Sequence, residues 1–460
     1  MKKIAFLIFV AAALFFSSYS HAASALDVGT NYRLRGITTT KPDYGQTSDQ
    51  DISYYSQRAL AYIGGHFTPN IEMRVQFQAL GIAGSSGSIS NLSADQTNGR
   101  YPNTSFTPWV QSAYLKATHV YDLPVDLTIG RQPITIGDGF LLSDDDLGFT
   151  GIRMQSELPF YGLQSDLFTF KVADSILQNK DTDIYGLQIT KPTHAVRYQL
   201  MWLMEKDNTG STKYVRPSEN EANLNGNLLA SRIRREFYDA RIEGHLLEGG
   251  FYKGEFAMQR GRVDRDAGLR DQNGNDISGI ELSGYGMLIS AGLYTKTSKF
   301  GPIEVHGTFG LGSGDSGDPG KDSSFNPSFG HRYDGLERSG FGEYYGATVY
   351  DAFASSSNPH GLPPGNSGIR VIGGGITTHP TALLSIGIDY FVYDALENNI
   401  MSFPNTSVDS SLGSEFDIGA GFAYTNYLTF RTSFAFFDPG SAYQYADKAR
   451  RFLLEAVGRF

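Results

Sequence analysis

The chain has 460 residues, a formal charge of −10, 13% aromatic residues, 53 glycines and no cysteine. Without cysteine there are no disulfides, thiolate metal sites or cysteine nucleophile, and the acidic balance argues against a nucleic-acid partner. The Tyr and Phe excess is what the interfacial girdles of a membrane barrel need, although a large soluble β protein would share that composition.

The N-terminus reads as a secretory signal peptide. Lys2 and Lys3 precede the apolar run Ile4 to Phe16, and Ser20-His21-Ala22 offers small residues for cleavage after Ala22. That run is too short to cross ~30 Å of hydrocarbon, so residues 1–22 are expected to be removed and 23–460 to form a single domain. No later run approaches the ~18 apolar residues of a spanning helix, and a barrel needs none.

Beyond the leader, the dominant signal is alternation with a period of two, which in a transmembrane barrel turns apolar side chains to lipid and polar ones to the lumen. In Ile71 to Ala79 the apolar set is Ile71, Met73, Val75, Phe77 and Ala79, against Glu72, Arg74, Gln76 and Gln78. Val196 to Met204 repeats the pattern with Arg197 and Gln199 inward, Phe416 to Tyr424 with Glu415 and Asp417 inward, and Leu428 to Phe436 with Arg431 inward. Leu228 to Leu246 fits least well: Ile233 opposes Arg232 and Arg234, but Arg235 breaks the alternation, which predicts a bulge or an extra strand.

The connections fall into two length classes. Thr68 to Asn70, Tyr121 to Pro124, Pro159 to Gly162, Lys191 to His194, Leu247 to Gly250, Thr297 to Pro302, His379 to Thr381 and Thr425 to Tyr427 are turn-sized. Thr39 to Gln50, Ala83 to Thr107, Asp207 to Asn227, Asp264 to Ser278 and Ser313 to Ser367 are longer and rich in Gly, Ser, Asn and Asp. This two-sidedness separates a barrel from a soluble sandwich. It predicts an all-β, transmembrane, antiparallel up-and-down barrel of about 18 strands, with short periplasmic turns and long extracellular loops. The last strand, Arg451 to Phe460, sets Phe452, Leu454, Ala456, Gly458 and Phe460 against Arg451, Glu455 and Arg459. Its terminal Phe460 resembles the C-terminal signal read by the outer-membrane barrel insertion machinery, which is therefore an expected partner.

Three segments together resemble the alginate-export family of outer-membrane barrels. They are Val125 to Phe140 (VDLTIGRQPITIGDGF) followed by Gly151-Ile152-Arg153; the loop Gly312 to Gly335; and Leu412 to Phe422 (LGSEFDIGAGF) followed by Phe437-Asp438-Pro439-Gly440. The resemblance implies an 18-stranded barrel through whose basic lumen an anionic polysaccharide leaves the periplasm, with periplasmic export partners. One departure is that alternation from Val125 puts Arg131 on the lipid side unless a bulge or the rim intervenes.

Alternation assigns Arg33, Arg35, Arg58, Arg74, Arg153, Lys171, Arg197, Arg370 and Arg431 to the lumen. Guanidinium forks match carboxylates, which suits uronate sugars. The competing assignment pairs these cations with Glu72, Glu157, Asp389, Glu415 and Asp417 across neighbouring strands, as wall chemistry. The acidic clusters Asp144 to Asp146 and Asp315, Asp318 and Asp322 read as solvated loops, and their spacing does not match a twelve-residue calcium loop.

No cofactor, metal or catalytic site is expected. The nine histidines form no metal-binding pair, and inward His66 and His306 read as lumen polar groups. The expected location is the bacterial outer membrane, in a bilayer with lipopolysaccharide. The leading function expected is passive export of an alginate-like polyuronate through the arginine-lined lumen; the runner-up is a substrate-selective diffusion porin for small anions or nutrients, and the third a barrel scaffold for a secretion or electron-transfer assembly.

Overall fold

A computed structural model describes residues 26–41, 51–83, 106–144, 147–158, 161–173, 181–208, 232–246, 249–264, 279–297, 300–315, 320–329, 341–345, 362, 366–398, 409–443 and 447–460. The expected signal peptide, 1–22, lies outside them.

The chain is a closed, 18-strand antiparallel β-barrel. In chain order the strands are β1 Leu26–Thr40, β2 Ile52–Thr68, β3 Ile71–Ile82, β4 Trp109–Ala117, β5 Val125–Gln132 and β6 Phe149–Leu158. Then follow β7 Leu163–Ala173, β8 Thr182–Pro192, β9 Val196–Asp207, β10 Arg232–Leu246, β11 Gly250–Asp264, β12 Gly279–Thr297 and β13 Gly301–Gly312. The last five are β14 Ile369–Thr381, β15 Leu384–Asp394, β16 Ser411–Ala423, β17 Leu428–Pro439 and β18 Ala449–Arg459. Each strand pairs with its sequence neighbour, and β18 closes on β1 from Asn31 opposite Arg459 to Thr40 opposite Arg450. Closure leaves no open sheet edge, the condition for placing strands in lipid.

Burial follows the expected period of two. Leu200, Tyr198, Ile152, Leu167, Ile388, Phe434 and Leu454 are exposed on the outer wall, where lipid would cover them. Exposed Phe67, Tyr121, Tyr161, Phe300, Tyr424 and Tyr427 gather at the short-turn end, as an interfacial aromatic girdle requires. Among the described residues of the Leu228 to Leu246 segment, 232–246, there is neither a bulge nor an extra strand. The register of β10 runs unbroken against β9 and β11, with Ile233 inward and Arg232 and Arg234 outward, and 228–231 lie outside the described residues. Irregularities lie on other strands, among them β4, where Gln111 is skipped between the Gln76–Ser112 and Phe77–Val110 pairs.

Phe460 is 81% exposed, and its backbone exchanges two hydrogen bonds with Thr30, at 2.8 and 2.9 Å, at the seam. Deleting Phe460 is expected to lower the amount of assembled protein in the outer-membrane fraction. Heat-modifiable gel mobility measures this, and wild-type levels of the truncated chain would remove the assembly role.

The lumen is not polar throughout. Toward its long-loop end, Phe149, Phe168, Phe170, Ile184, Met201, Leu203, Phe237, Val371, Tyr393 and Phe437 point inward and are buried with loop residues in one apolar cluster. The open, polar part of the lumen lies toward the short turns.

Candidate functional site

Several loop segments fold into the barrel, and two of them meet its wall in the same way. Residues 133–144, between β5 and β6, bury Ile134, Ile136, Phe140, Leu141 and Leu142 in the inner cluster. The loop is closed on itself by Asp144, whose carboxylate accepts the N–H groups of Ile134 at 3.2 Å and Gly148 at 2.9 Å. Its tip is Gly137, with φ +60°, where a Cβ would lie 2.9 Å from both Arg241 Nη1 and Glu255 Oε2. Only glycine combines that conformation with such an approach. The next residue, Asp138, takes an ion pair from Arg241 at 3.2 Å and another from Lys253 at 3.4 Å. Arg241 also pairs with Glu255 at 2.6 Å and Glu243 at 2.8 Å.

The second segment, Phe341–Tyr345, repeats the arrangement on β15 to β17. Gly342 has φ +81°, and a Cβ there would meet Tyr393 Oη at 2.6 Å and the Glu415 carboxyl carbon at 2.7 Å. Glu415, fully buried, accepts the successive N–H groups of Glu343, Tyr344 and Tyr345 at 2.6, 2.5 and 2.8 Å. The Tyr393 hydroxyl also donates to Glu415, at 3.1 Å, and Asp417 accepts the Glu343 N–H at 3.0 Å. The Glu343 carboxylate faces Arg431 and, at 3.6 Å, Arg451. Tyr345 stacks on Phe437 with centroids 4.9 Å apart and exchanges a hydrogen bond with Tyr443 at 3.0 Å. Burial raises the Tyr345 phenol above its ordinary pKa, against the opposing effect of the Tyr443 bond.

Two cavities flank the Asp138–Arg241 contact. One, of about 710 Å³, lies toward the short turns and is lined by Arg153, Arg197, Arg241, Asp126, Glu157 and Glu243 among others. The other, of about 520 Å³, is lined by both inward loops together with Lys253, His306, Asp389, Asp417 and Arg431. Acidic residues outnumber basic ones in both linings, so cations and carboxylates are interleaved and neither cavity is a basic channel.

Most of the cations assigned by alternation are on the lumen face. Arg35 and Arg33 face Glu455 at 2.5 and 3.9 Å, Arg58 donates to Gln78, and Arg74 lies 4.0 Å over the Tyr62 ring. Arg153 forks onto Asp166, Arg197 faces Glu243 at 3.6 Å, and Arg431 faces Glu343. Two assignments are corrected. Lys171 shares the outer face of β7 with Leu167 and pairs with Asp181 and Asp183; Arg370 shares the outer face of β14 with Ile372 and pairs with Asp394 at 2.7 Å. Both stand at the long-loop rim, where an outward charge costs only ~0–1 kcal/mol, against ~2–4 kcal/mol at the bilayer midplane.

The expected acidic partners have other contacts. Glu72 sits opposite His66 and Lys116, Glu157 accepts from Gln164, Asp389 meets His306 at 2.8 Å, and Glu415 and Asp417 hold loop backbone. The acidic clusters are not all solvated: Asp144, Asp315 and Asp322 are buried, while Asp145, Asp146 and Asp318 lie outside the described residues. Arg131 is on the outer side, as strict alternation predicts. Its guanidinium donates to the carbonyls of Gln111 at 3.0 Å and Leu147 at 2.6 Å, the first of these at the β4 bulge.

Sequence reasoning missed Arg241, Lys253, Glu255, Asp138 and Glu343. A signal for Arg241 was present. Counting inward residues from Ile233 gives Arg235, Phe237, Asp239, Arg241 and Glu243 without a break, but only once an apolar residue is allowed to face the lumen. Arg235 then meets Glu205 at 2.8 Å.

The Asp138 contact has a pH dependence of definite sign. Desolvation opposes its ionisation, but hydrogen bonds and charge from Arg241 and Lys253 outweigh it and hold the carboxyl below its ordinary range. A depressed pKa contributes docking stability above the free carboxyl's pKa, and that contribution is lost as pH falls through the lowered value. Single-channel recordings should therefore show a quiet loop at neutral pH and increased open-state noise only in acid. Asp138→Asn should be noisy at both. Identical traces for the two proteins would remove the contact as a latch.

No protein-family profile and no curated protein matches the sequence. Solved structures do. Acinetobacter baumannii OccAB2 aligns over 94% of this chain and 98% of its own, with TM-score 0.55 and 11% identity. Acinetobacter baumannii OccAB4 aligns over 94% and 98%, with TM-score 0.52 and 10% identity. The Pseudomonas aeruginosa outer membrane protein OpdK aligns over 94% and 99%, with TM-score 0.50 and 12% identity. At these identities the likeness is one of fold, that of an outer-membrane barrel.

Proposed function

We propose that the chain is an outer-membrane diffusion porin for small, charged or polar nutrients. The observation that carries this reading is the pair of inward loops, which leave cavities of about 710 and 520 Å³ lined by charges of both signs. Those volumes fall in the range that holds small molecules, ~300–1,000 Å³. Interleaved Arg197, Glu243, Arg431 and Glu343 offer both signs of charge to a solute that carries a carboxylate, an ammonium or both.

The polyuronate-export reading has no such support. The three segments behind that resemblance converge on the loop anchors instead: Val125 to Phe140 carries the Gly137 tip, Gly312 to Gly335 carries Phe325 and Phe329 packed beneath it, and Leu412 to Phe422 carries Glu415 and Asp417. They contribute to the loop-filled part of the lumen, and the paired lumen charges do not amount to a basic track. Proteoliposome swelling with small carboxylates, amino acids and sugars tests the proposal, alongside block of planar-bilayer current by polyuronate. Passage of the small solutes without polymer block is expected. Polymer block at lower concentration than any monomeric uronate would favour export, and absence of conductance would overturn the channel reading.

A further inference from the structure

The outer wall at the long-loop end of β9 to β12 carries a band of charge. Its face is fixed by parity: Lys206 lies on the side of Leu200 and Trp202, Arg232 and Arg234 on that of Tyr238 and Ile242, and Arg260 and Arg262 on that of Phe256 and Met258. All five cations are exposed. The register arranges this wall in rows. Leu200, Ala240, Phe256 and Met287 form one; Trp202, Tyr238, Met258 and Tyr285 form the next, toward the loops. Above that comes Met204, Glu236, Arg260 and Ser283, and then Lys206, Arg234, Arg262 and Glu281. Rows on one face are two residues, roughly 7 Å, apart along the strand. The wall thus passes from apolar through an aromatic-rich row to charged within about two such steps, the profile of a hydrocarbon–headgroup boundary.

The top row sets three cations directly opposite one another, at roughly 5 Å between neighbouring Cα atoms. Like charges in that relation destabilise a sheet. Acidic residues also stand along this rim: Asp183 lies between Lys171 and Lys206, Asp394 opposite Arg370, and Asp438 beside Lys448. Within the band, Arg234 is partnered along its own strand by Glu236, at 3.0 Å, and Arg262 by Asp264, also at 3.0 Å. Asp264 lies opposite Arg232 and Asp183 opposite Lys206, and the five cations exceed Asp183, Glu236, Asp264 and Glu281 by one.

We infer that this band is a binding site for the phosphorylated headgroup of lipid A, the anionic lipid of the leaflet that the long-loop end would meet. The inference rests on the outer-membrane reading of the barrel. Three aligned cations match a headgroup bearing phosphates, since each phosphate oxygen accepts charge-assisted hydrogen bonds from guanidinium and ammonium donors. The aromatic row beneath gives the acyl chains an apolar wall to lie on. A bound phosphate also relieves the repulsion among Lys206, Arg234 and Arg262.

The test uses the full mature chain folded in detergent, titrated with fluorescent bisphosphoryl lipid A. Monophosphoryl lipid A, phosphatidylglycerol and inorganic phosphate serve as competitors. The variants are Lys206→Gln/Arg234→Gln/Arg262→Gln, the milder Arg232→Gln/Arg260→Gln, and Arg450→Gln as an outward rim cation elsewhere. The triple variant is expected to bind lipid A about tenfold more weakly. The double variant should be weakened less and Arg450→Gln should match wild type. Bisphosphoryl lipid A should outcompete the other three ligands. Heat-modifiable mobility establishes that each variant is folded, and if the triple variant does not fold, the double variant decides. Unchanged affinity in a folded variant overturns the proposal, as does equal loss in Arg450→Gln or phosphatidylglycerol competing as well as lipid A. Channel conductance is read in parallel: a conducting variant with undiminished lipid A binding refutes the band alone, whereas a wild type without conductance refutes the porin reading and leaves the binding result to stand.

Discussion

Glu415→Leu is expected to release the Phe341–Tyr345 segment from the wall and produce a large rise in single-channel conductance. The wild-type carboxylate is fully buried and accepts three successive backbone N–H groups and the Tyr393 hydroxyl. A leucine fills similar space and accepts none of them. Each donor left unsatisfied in a buried setting costs about 1–3 kcal/mol, so the docked state loses several kcal/mol relative to one in which the segment meets water. A loss of about 3 kcal/mol already changes the docked-to-undocked ratio roughly a hundredfold. Glu415→Gln keeps an acceptor oxygen and should lie between leucine and wild type. The barrel itself should persist, because the strand ladders do not depend on this side chain. Conductance of Glu415→Leu equal to wild type would show that the segment is held by its aromatic packing, on Phe437 and Tyr443, and not by the carboxylate.

Arg241→Met should have the second large effect, this time on stability as well as on the pore. Arg241 and Glu255 are 7% and 4% exposed and 2.6 Å apart. Removing the guanidinium leaves Glu255 a buried charge with its principal counter-ion gone, a change that costs about 3–5 kcal/mol. It also takes one of two partners from Asp138, so the 133–144 loop should loosen and current noise increase. The double variant Arg241→Met/Glu255→Met should recover most of the thermal stability, since a well-packed apolar pair replaces a buried ion pair at little cost. It should not recover the quiet channel, because Asp138 keeps only Lys253. If the single and double variants melt at the same temperature as wild type, the pair is not a structural element. If the double variant is both stable and quiet, the loop is held by Ile136, Phe140 and Leu141 in the inner cluster, and Asp138 is incidental.

The amino-acid sequence by itself determined the barrel. Alternation in segments such as Ile71 to Ala79 and Leu428 to Phe436 and two classes of connection were sufficient. Lipid imposes the same demand on every strand: each outward side chain in the hydrocarbon must be apolar and every backbone group must be paired. That demand weakens at the rim. Lys171, Arg370 and the band around Arg234 stand outward there, and parity counted from charge alone assigned the first two to the wrong face. The tertiary structure alone decided the interior. Ile233 and Phe237 face inward because loops from distant parts of the chain fill the long-loop half of the lumen and give apolar residues a second place to be buried, one that alternation cannot distinguish from lipid. The partner of each lumen arginine was likewise undetermined by strand order. Asp138 and Glu343 reach Arg241 and Arg431 from loops separated from them by 103 and 88 residues, and the conformation that delivers them rests on two glycines, Gly137 and Gly342, whose positive φ becomes visible only when the wall carboxylates behind them are in place.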